Sequence, residues 1–551
     1  MPELLNPPLA GQPQVSPDGG RVAFSESILD SEADRVASRV GVVDVVDPAG
    51  RVTWVGEGHT PRWSPEGEEL AVIRDGGLFL VDLRGGRWRP AFSMQGEVVD
   101  CAWASTGRLA VAVRMREPDE RGEPVDGLPG RYVTRRLIRV VDPHVGLLWT
   151  VEDAWHPRWS ADGARLAYLS AGGLWWTAGA QPVRVTGRSV RGFAWSPDGD
   201  DLAYLAPASD HPDVNVKLWI SSAEVDLTAG WELGVGNPVR GDDPRGTGEP
   251  AVLWSSAGRI YAEMAAGGRG PLAWFDPRRS ARGRLFEGDY VCLSPSSAGG
   301  TLAFVRTDPQ NPGEIWAASE VDGVDGVDGV AEPLTRQAQI GLPSVPVRAG
   351  AVEGWLTGEG PLLVNIHGGP HYAVGWRFTG EVQRLALHGY SVLTANLRGS
   401  QGYGEQFATA IRDDWGARDL ADLIAVVDRA GRIENAVLWG VSYGGFLAVL
   451  AATRCEPVAV ISENGALDRP TGRSPLKEAE RIHAPVLLVH AEDDQICPIG
   501  HSERMAAVLK DVELVRIPGE GHLMNLAGRP SHRLRRARAI DDFLDRHVPP
   551  R

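Results

Sequence analysis

Trp195-Ser196-Pro197-Asp198-Gly199, followed two residues later by the apolar run Leu202-Ala203-Tyr204-Leu205, decides how the front of this chain is read. An aromatic ends one strand. Ser-Pro-Asp-Gly then makes a tight turn, with Pro presetting φ and Gly taking φ > 0. A further strand follows. The phrase recurs as Val15-Ser16-Pro17-Asp18-Gly19, Trp63-Ser64-Pro65-Glu66-Gly67, Trp103-Ala104-Ser105-Thr106-Gly107, Trp159-Ser160-Ala161-Asp162-Gly163 and Trp254-Ser255-Ser256-Ala257-Gly258. A worn seventh copy, Leu293-Ser294-Pro295, has lost the tryptophan and the turn. Successive copies lie 36 to 59 residues apart. A second strand pair follows the phrase, as in Gly77-Leu78-Phe79-Leu80-Val81-Asp82. Four short strands per repeat, seven times over, predict a seven-bladed β-propeller rather than unrelated hairpins of a sandwich.

Composition agrees with many short strands and turns: 67 glycines, 40 prolines and 19 tryptophans in 551 residues. Length alone suggests three or four ordinary domains, but two large ones fit the pattern better. The expected division is a propeller over residues 1–340 and a second domain over 341–551. The net charge of −16 argues against a general nucleic-acid binder. Cys101, Cys292, Cys455 and Cys497 are far apart and form no C-x-x-C, so reduced, mostly buried thiols are expected. The start shows no secretory signal, and no run of 18 apolar residues exists. A cytoplasmic protein with no membrane partner is expected. The Arg-, Glu-, Gly- and Pro-rich insert at 116–139 reads as a solvated loop. The threefold Val-Asp-Gly at 321–329 reads as a flexible one near the domain boundary.

After about Gly341 the period changes. Apolar runs at 361–366, 391–395, 436–439, 458–461, 486–489 and 513–517 suit strands covered on both faces. Helical patterns separate them, as at 502–509, and a closing helix spaces Leu534, Ala537, Ile540 and Phe543 three apart. Alternating strand and helix predict a doubly wound, mostly parallel sheet.

Gly440-Val441-Ser442-Tyr443-Gly444-Gly445 leaves the third of these strands and enters a helical run. G-x-S-x-G alone is a weak signal in so glycine-rich a chain. In a strand-turn-helix context it is the nucleophile elbow of an α/β-hydrolase, with Ser442 as the nucleophile. His367-Gly368-Gly369-Pro370 ends the first core strand, so the N–H groups of Gly369 and Tyr443 are expected to form an oxyanion hole. The acid must follow a later strand, and His490-Ala491-Glu492-Asp493-Asp494-Gln495-Ile496-Cys497-Pro498 offers two. The hydrolase turn D-x-hydrophobic-x-P selects Asp494, with Asp493 as its competitor. The base must follow the next strand, which selects His522 in Pro518-Gly519-Glu520-Gly521-His522, since Ser…Asp…His is the hydrolase order. His490 is read as structural. No metal or cofactor is called for, because an acyl-enzyme needs none.

These residues resemble the prolyl oligopeptidase family of serine peptidases, and most closely its acylaminoacyl peptidase and oligopeptidase branch. The resemblance runs from His367-Gly368-Gly369-Pro370-His371 through Asn396-Leu397-Arg398-Gly399-Ser400-Gln401-Gly402-Tyr403-Gly404 to the elbow, with Trp415-Gly416, Asp419 and Asp422 also fitting. It implies a propeller that caps the active site and admits only short peptides, acylated or free. Three departures stand out. His367 replaces the tyrosine of prolyl-specific members. Ile496 stands where an Arg or Asn often holds a substrate carbonyl. The stretch between Glu456 and Leu476, part of the wall of the pocket for the residue before the scissile bond, is shorter than usual. The segment before the first blade is also very short, so an N-terminal helix packed on the hydrolase is not expected. Short-peptide hydrolysis is the first expectation. An esterase or amidase acting on small non-peptide compounds is the second, and a propeller scaffold carrying a dead hydrolase the third. The sequence leaves the oligomeric state open, a homo-oligomer included.

Overall fold

The computed structural model describes residues 2–550 apart from 48–49, 93–94, 119–131, 180, 210–214, 244–251 and 321–329. Seven four-stranded antiparallel sheets, each built from consecutive strands, form the blades of a propeller, and an eighth sheet of eight strands follows. The first strand, Leu9–Val15, packs against the seventh blade to close the ring. Among the described residues no strand is shared across the seam. Val22, Phe24, Val291, Leu293, Val305 and Ile315 form one buried apolar cluster there, and the Val15 N–H donates to Ser296 Oγ.

The repeated tryptophan has a definite task. It ends the innermost strand of its blade, and its indole N–H donates to the innermost strand of the blade before: Trp63 to the Gln14 carbonyl at 2.8 Å, Trp103 to Arg62, Trp159 to Ala102 and Trp195 to Arg158. Each link satisfies a buried donor while the ring fills the wedge between sheets. Trp254 departs from this and bonds Gly258 of its own turn.

In the seventh blade Leu293-Ser294-Pro295 lies within the strand Val291–Ala298, at a bulge. The turn has moved to Gly299-Gly300, both at positive φ. A Cβ on Gly299 would stand 2.4 Å from the backbone of Asp18, so the two turns at the ring seam touch.

The insert expected as a loop at 116–139 is strand at both ends, 116–118 and 132–139, while 119–131 lie outside the described residues. Leu109–Pro118 and Tyr132–Asp142 pair in one long antiparallel hairpin, which extends the third blade beyond its neighbours. Ladder hydrogen bonds there override a charged composition. The Val-Asp-Gly run at 321–329 lies outside the described residues.

The eighth sheet runs in the order Ser344–Ala349, Val352–Thr357, Ser391–Asn396, Leu362–Ile366, Ala436–Val441, Ala459–Glu463, Val486–Ala491 and Val512–Ile517. Its first two strands are antiparallel additions, and the rest pair in parallel. Helices Arg418–Ala430, Tyr443–Ala452 and Gly500–Val508 cover one face. Helices Gly380–Leu387 and Pro530–His547 cover the other.

One N-terminal turn of helix, Pro2–Leu5, packs against these last two helices. This corrects the expectation that no such helix would be present. Leu4 and Leu5 are buried, and Arg533 binds the Leu5 carbonyl and the Asn6 side chain. Two leucines and a capped carbonyl suffice to dock a single turn.

Residues 239–243 latch the propeller to the hydrolase. Arg377 donates to the Val239 carbonyl and makes a bidentate pair with Asp243, both side chains buried. Asp242 accepts the first two N–H groups of the Gly380–Leu387 helix. The Arg240 N–H donates to the Ala373 carbonyl.

Candidate active site

The strand Ala436–Val441 delivers Ser442 at φ 58° and ψ −117°, and the helix Tyr443–Ala452 starts immediately after it. A non-glycine residue in this region costs about 1–3 kcal/mol and persists only where its surroundings hold it. The surroundings here are specific. A Cβ on Gly440 would lie 2.3 Å from the Gly444 backbone, and one on Gly444 would lie 1.9 Å from the Ile366 carbonyl oxygen. Neither position tolerates a side chain. The Ser442 N–H donates to the Glu463 carbonyl on the neighbouring strand.

Ser442 Oγ lies 2.9 Å from His522 Nε2, and His522 Nδ1 lies 2.7 Å from Asp494 Oδ2. A carboxylate can only accept, so Nδ1 carries the proton and Nε2 presents a lone pair to the serine hydroxyl. Asp494 Oδ1 accepts the N–H groups of Ile496 and Cys497 at 2.8 and 2.9 Å. Burial pushes this carboxyl up, but the bond from His522 and the two backbone donors outweigh it and hold the group below the usual carboxylate range. Asp493 is exposed on the adjoining turn, and among the described residues its carboxylate makes no hydrogen bond to His522.

His490 is fully buried, with Nε2 on the Cys497 carbonyl and Nδ1 on Ser502 Oγ. Burial lowers its pKa, so it stands neutral, as a prop for the Asp494 turn. The Cys497 thiol, pushed up to about 11 by burial, remains protonated and is a poor nucleophile.

The loop after Leu362–Ile366 lies directly on the elbow. A Cβ on Gly368 would stand 3.6 Å from that of Ser442. His367 Nδ1 donates to the Gly368 carbonyl at 2.7 Å, and its Nε2 accepts from Ser400 Oγ at 3.0 Å. Fixing that carbonyl turns the Gly369 N–H to the opposite edge of a trans peptide plane. Tyr443 is the first helical residue, so its N–H has no partner within the helix. Among the described residues neither of these two N–H groups has a protein acceptor. The Tyr443 side chain points into the core, where its hydroxyl donates to Asp419.

Asn464 belongs to the site and escaped the sequence reading. Its Nδ2 donates to the His522 carbonyl and its Oδ1 accepts the Ala491 N–H, both at 2.9 Å. It ties the loop carrying His522 to the strand that precedes Asp494. Its position at the carboxyl end of a parallel strand, where open α/β sheets place ligands, was the available signal. Asn464→Ala is expected to lower kcat for a chromogenic ester by about 10–100-fold, the cost of one to two hydrogen bonds that hold His522. KM should hardly move. An unchanged kcat would limit Asn464 to stability.

Ser442, His522, Gly368, Gly369, Tyr372 and Ile496 line a cavity of about 460 Å³ between the two domains, with Arg240 and Asp242 on its propeller side.

The prolyl oligopeptidase family model matches residues 376–469 and 463–550. A curated relative, the uncharacterized peptidase YuxL of Bacillus subtilis, is 28% identical, with 97% of each chain covered. The acylaminoacyl peptidase of Pyrococcus horikoshii superposes with a TM-score of 0.83 at 18% identity, covering 98% of this chain and 96% of its own. A puromycin-hydrolyzing peptidase of Mycobacterium tuberculosis superposes at 0.70 with 19% identity, covering 99% and 96%. Among the described residues no helix is long and apolar enough to cross a membrane.

Proposed function

Residues 376–550 carry the domain of the prolyl oligopeptidase family, which makes the chain a serine peptidase of that family, and we propose that it hydrolyses short peptides, acylated or free, through an acyl-enzyme on Ser442. His522 takes the Ser442 proton as the hydroxyl attacks the scissile carbonyl, and returns it to the leaving amine. Asp494 fixes the imidazole tautomer and stabilises the imidazolium. The N–H groups of Tyr443 and Gly369 receive the oxyanion. Water then attacks the ester by the same proton path in reverse. The propeller, latched over the cavity by Arg377, Asp242 and Asp243, limits substrates to those that fit beneath it.

One observation carries this reading: an unbroken hydrogen-bond chain from Ser442 through His522 to Asp494, opening into a cavity walled by both domains. A second reading, an esterase or amidase for small non-peptide compounds, draws on Ile496. This apolar, exposed side chain lines the same cavity as Ser442 and His522 and offers no polar contact to a peptide carbonyl.

Digestion of a mixed peptide library, with products sequenced by mass spectrometry, separates the two. Cleavage confined to short peptides is expected. Ester turnover without any peptide cleavage would transfer the assignment to the second reading, and cleavage of folded proteins would remove the size-limiting role of the propeller.

A further inference from the structure

Four arginines line the cavity: Arg240, Arg377, Arg533 and Arg536. Three of them are committed elsewhere. Arg377 is paired with Asp243, Arg536 with Glu463, and Arg533 holds the Leu5 carbonyl and Asn6. Arg240 differs. Among the described residues its guanidinium has no hydrogen bond and no ion pair, and its contact is the ring of Tyr372, 4.7 Å from its centroid. Tyr372 in turn lies against Gly369, so the cation is stacked beside the loop that faces Ser442.

The surroundings leave this charge poorly compensated. Burial lowers its pKa, as do neighbouring Arg377 and Arg191, against opposing effects from Tyr372 and Glu263. Glu263 already accepts the Ser294 N–H at 2.6 Å. Arg191 donates to Asn237 Oδ1, and Asn237 Nδ2 is buried without a partner. Arg240 thus has a second guanidinium nearby, and the carboxylate that lines the cavity on its side, Asp242, is already taken up by the N–H groups of Gly380 and Glu381. A half-buried cation in such a place is costly unless an anion meets it. A planar guanidinium matches a carboxylate in both charge and geometry.

We infer that Arg240 binds the C-terminal α-carboxylate of a short peptide held in this cavity. The idea rests on peptides being the ligands of the site. A free α-carboxylate always belongs to the part of a peptide that leaves as the amine, so Arg240 grips the leaving group and sets how far the scissile bond lies from the C-terminus. It also gives the propeller a direct part in selection.

Calorimetric titration of the full chain tests this without requiring turnover, so its outcome is separable from that of the library digestion. The probes are Ala-Phe, Ala-Phe amide and Ala-Glu amide. The intact protein is expected to bind Ala-Phe at least about tenfold more tightly than its amide, the gain from one charge-assisted bidentate contact. Arg240→Gln should reduce that ratio to about one, and Arg240→Lys, which keeps the charge, should retain part of it. Equal Kd values for acid and amide in the intact protein would overturn the inference. So would a ratio that survives in Arg240→Gln, or binding to none of the three. Tighter binding of Ala-Glu amide than of Ala-Phe would also overturn it, because the site would then read an acidic side chain. Should Arg240→Gln not fold, the intact protein and Arg240→Lys still decide: a preference unchanged by the less directional ammonium counts against bidentate capture.

Discussion

Ser442→Ala is expected to lower kcat by about 10⁴-fold or more, toward the residual rate that binding and an oxyanion hole alone supply. The effect is this large because the Oγ is both the bond-forming atom and the donor to His522 Nε2, 2.9 Å away. Without it the imidazole lone pair has no proton to take. The fold should be unaffected. The strained φ of 58° is imposed by Gly440, Gly444 and the Glu463 carbonyl acting on the backbone, and alanine keeps the same Cβ. The loss of one hydrogen bond should change stability by about 1 kcal/mol. Urea denaturation of both proteins, alongside chromogenic ester and short-peptide assays, separates loss of chemistry from loss of structure. Retained turnover in the alanine variant would remove Ser442 from the nucleophile's role. Turnover lost together with the cooperative unfolding transition would show that the serine side chain, and not only the glycines around it, holds the elbow.

Much of this molecule was legible in the sequence because the same physical demand recurs. Each blade must join the one before it, and in the second to fifth blades a tryptophan at the end of the inner strand meets that demand by packing and by one indole hydrogen bond, so the residue repeats with those blades. Legibility fails where the demand changes. At the ring seam two glycine turns, Gly19 and Gly299, meet backbone to backbone. The seventh phrase keeps neither the tryptophan nor the Ser-Pro-Asp-Gly turn, its turn having moved to Gly299-Gly300. In the hydrolase, chain order pointed to Ser442, Asp494 and His522, because each follows a strand of the parallel sheet. The contacts between domains were invisible. Asp242 caps a helix about 140 residues further on, and Arg240 stacks on Tyr372 across the domain boundary. Such pairs leave no periodicity in either segment. The short N-terminal turn was missed for the same reason, since its anchor, Arg533, lies at the far end of the chain.

Asp494→Asn is expected to cost about 10⁴-fold in kcat, while Asp493→Asn, altering an exposed side chain, stays within about twofold of the native enzyme. The reasoning follows from which atoms Asp494 already satisfies. Its Oδ1 accepts from Ile496 and Cys497, so an asparagine placed here keeps its carbonyl oxygen toward those two donors and turns its NH₂ toward His522 Nδ1. A donor in that position forces Nδ1 to accept, which moves the imidazole proton to Nε2. Nε2 then meets Ser442 as a donor and cannot serve as the base. The geometry survives and the chemistry stops. The native carboxylate also avoids this fate at acid pH for longer than an ordinary aspartate: its hydrogen bonds hold its pKa below the usual value, so it stays ionised at neutral pH and its stabilising contribution is lost only as the pH falls through that lowered pKa. Pre-steady-state assays of both variants with one chromogenic ester provide the check. A missing acylation burst in Asp494→Asn with a normal burst in Asp493→Asn is the expected result. The reverse pattern would move the role of acid to Asp493 and require the turn at 493–497 to rearrange when substrate binds.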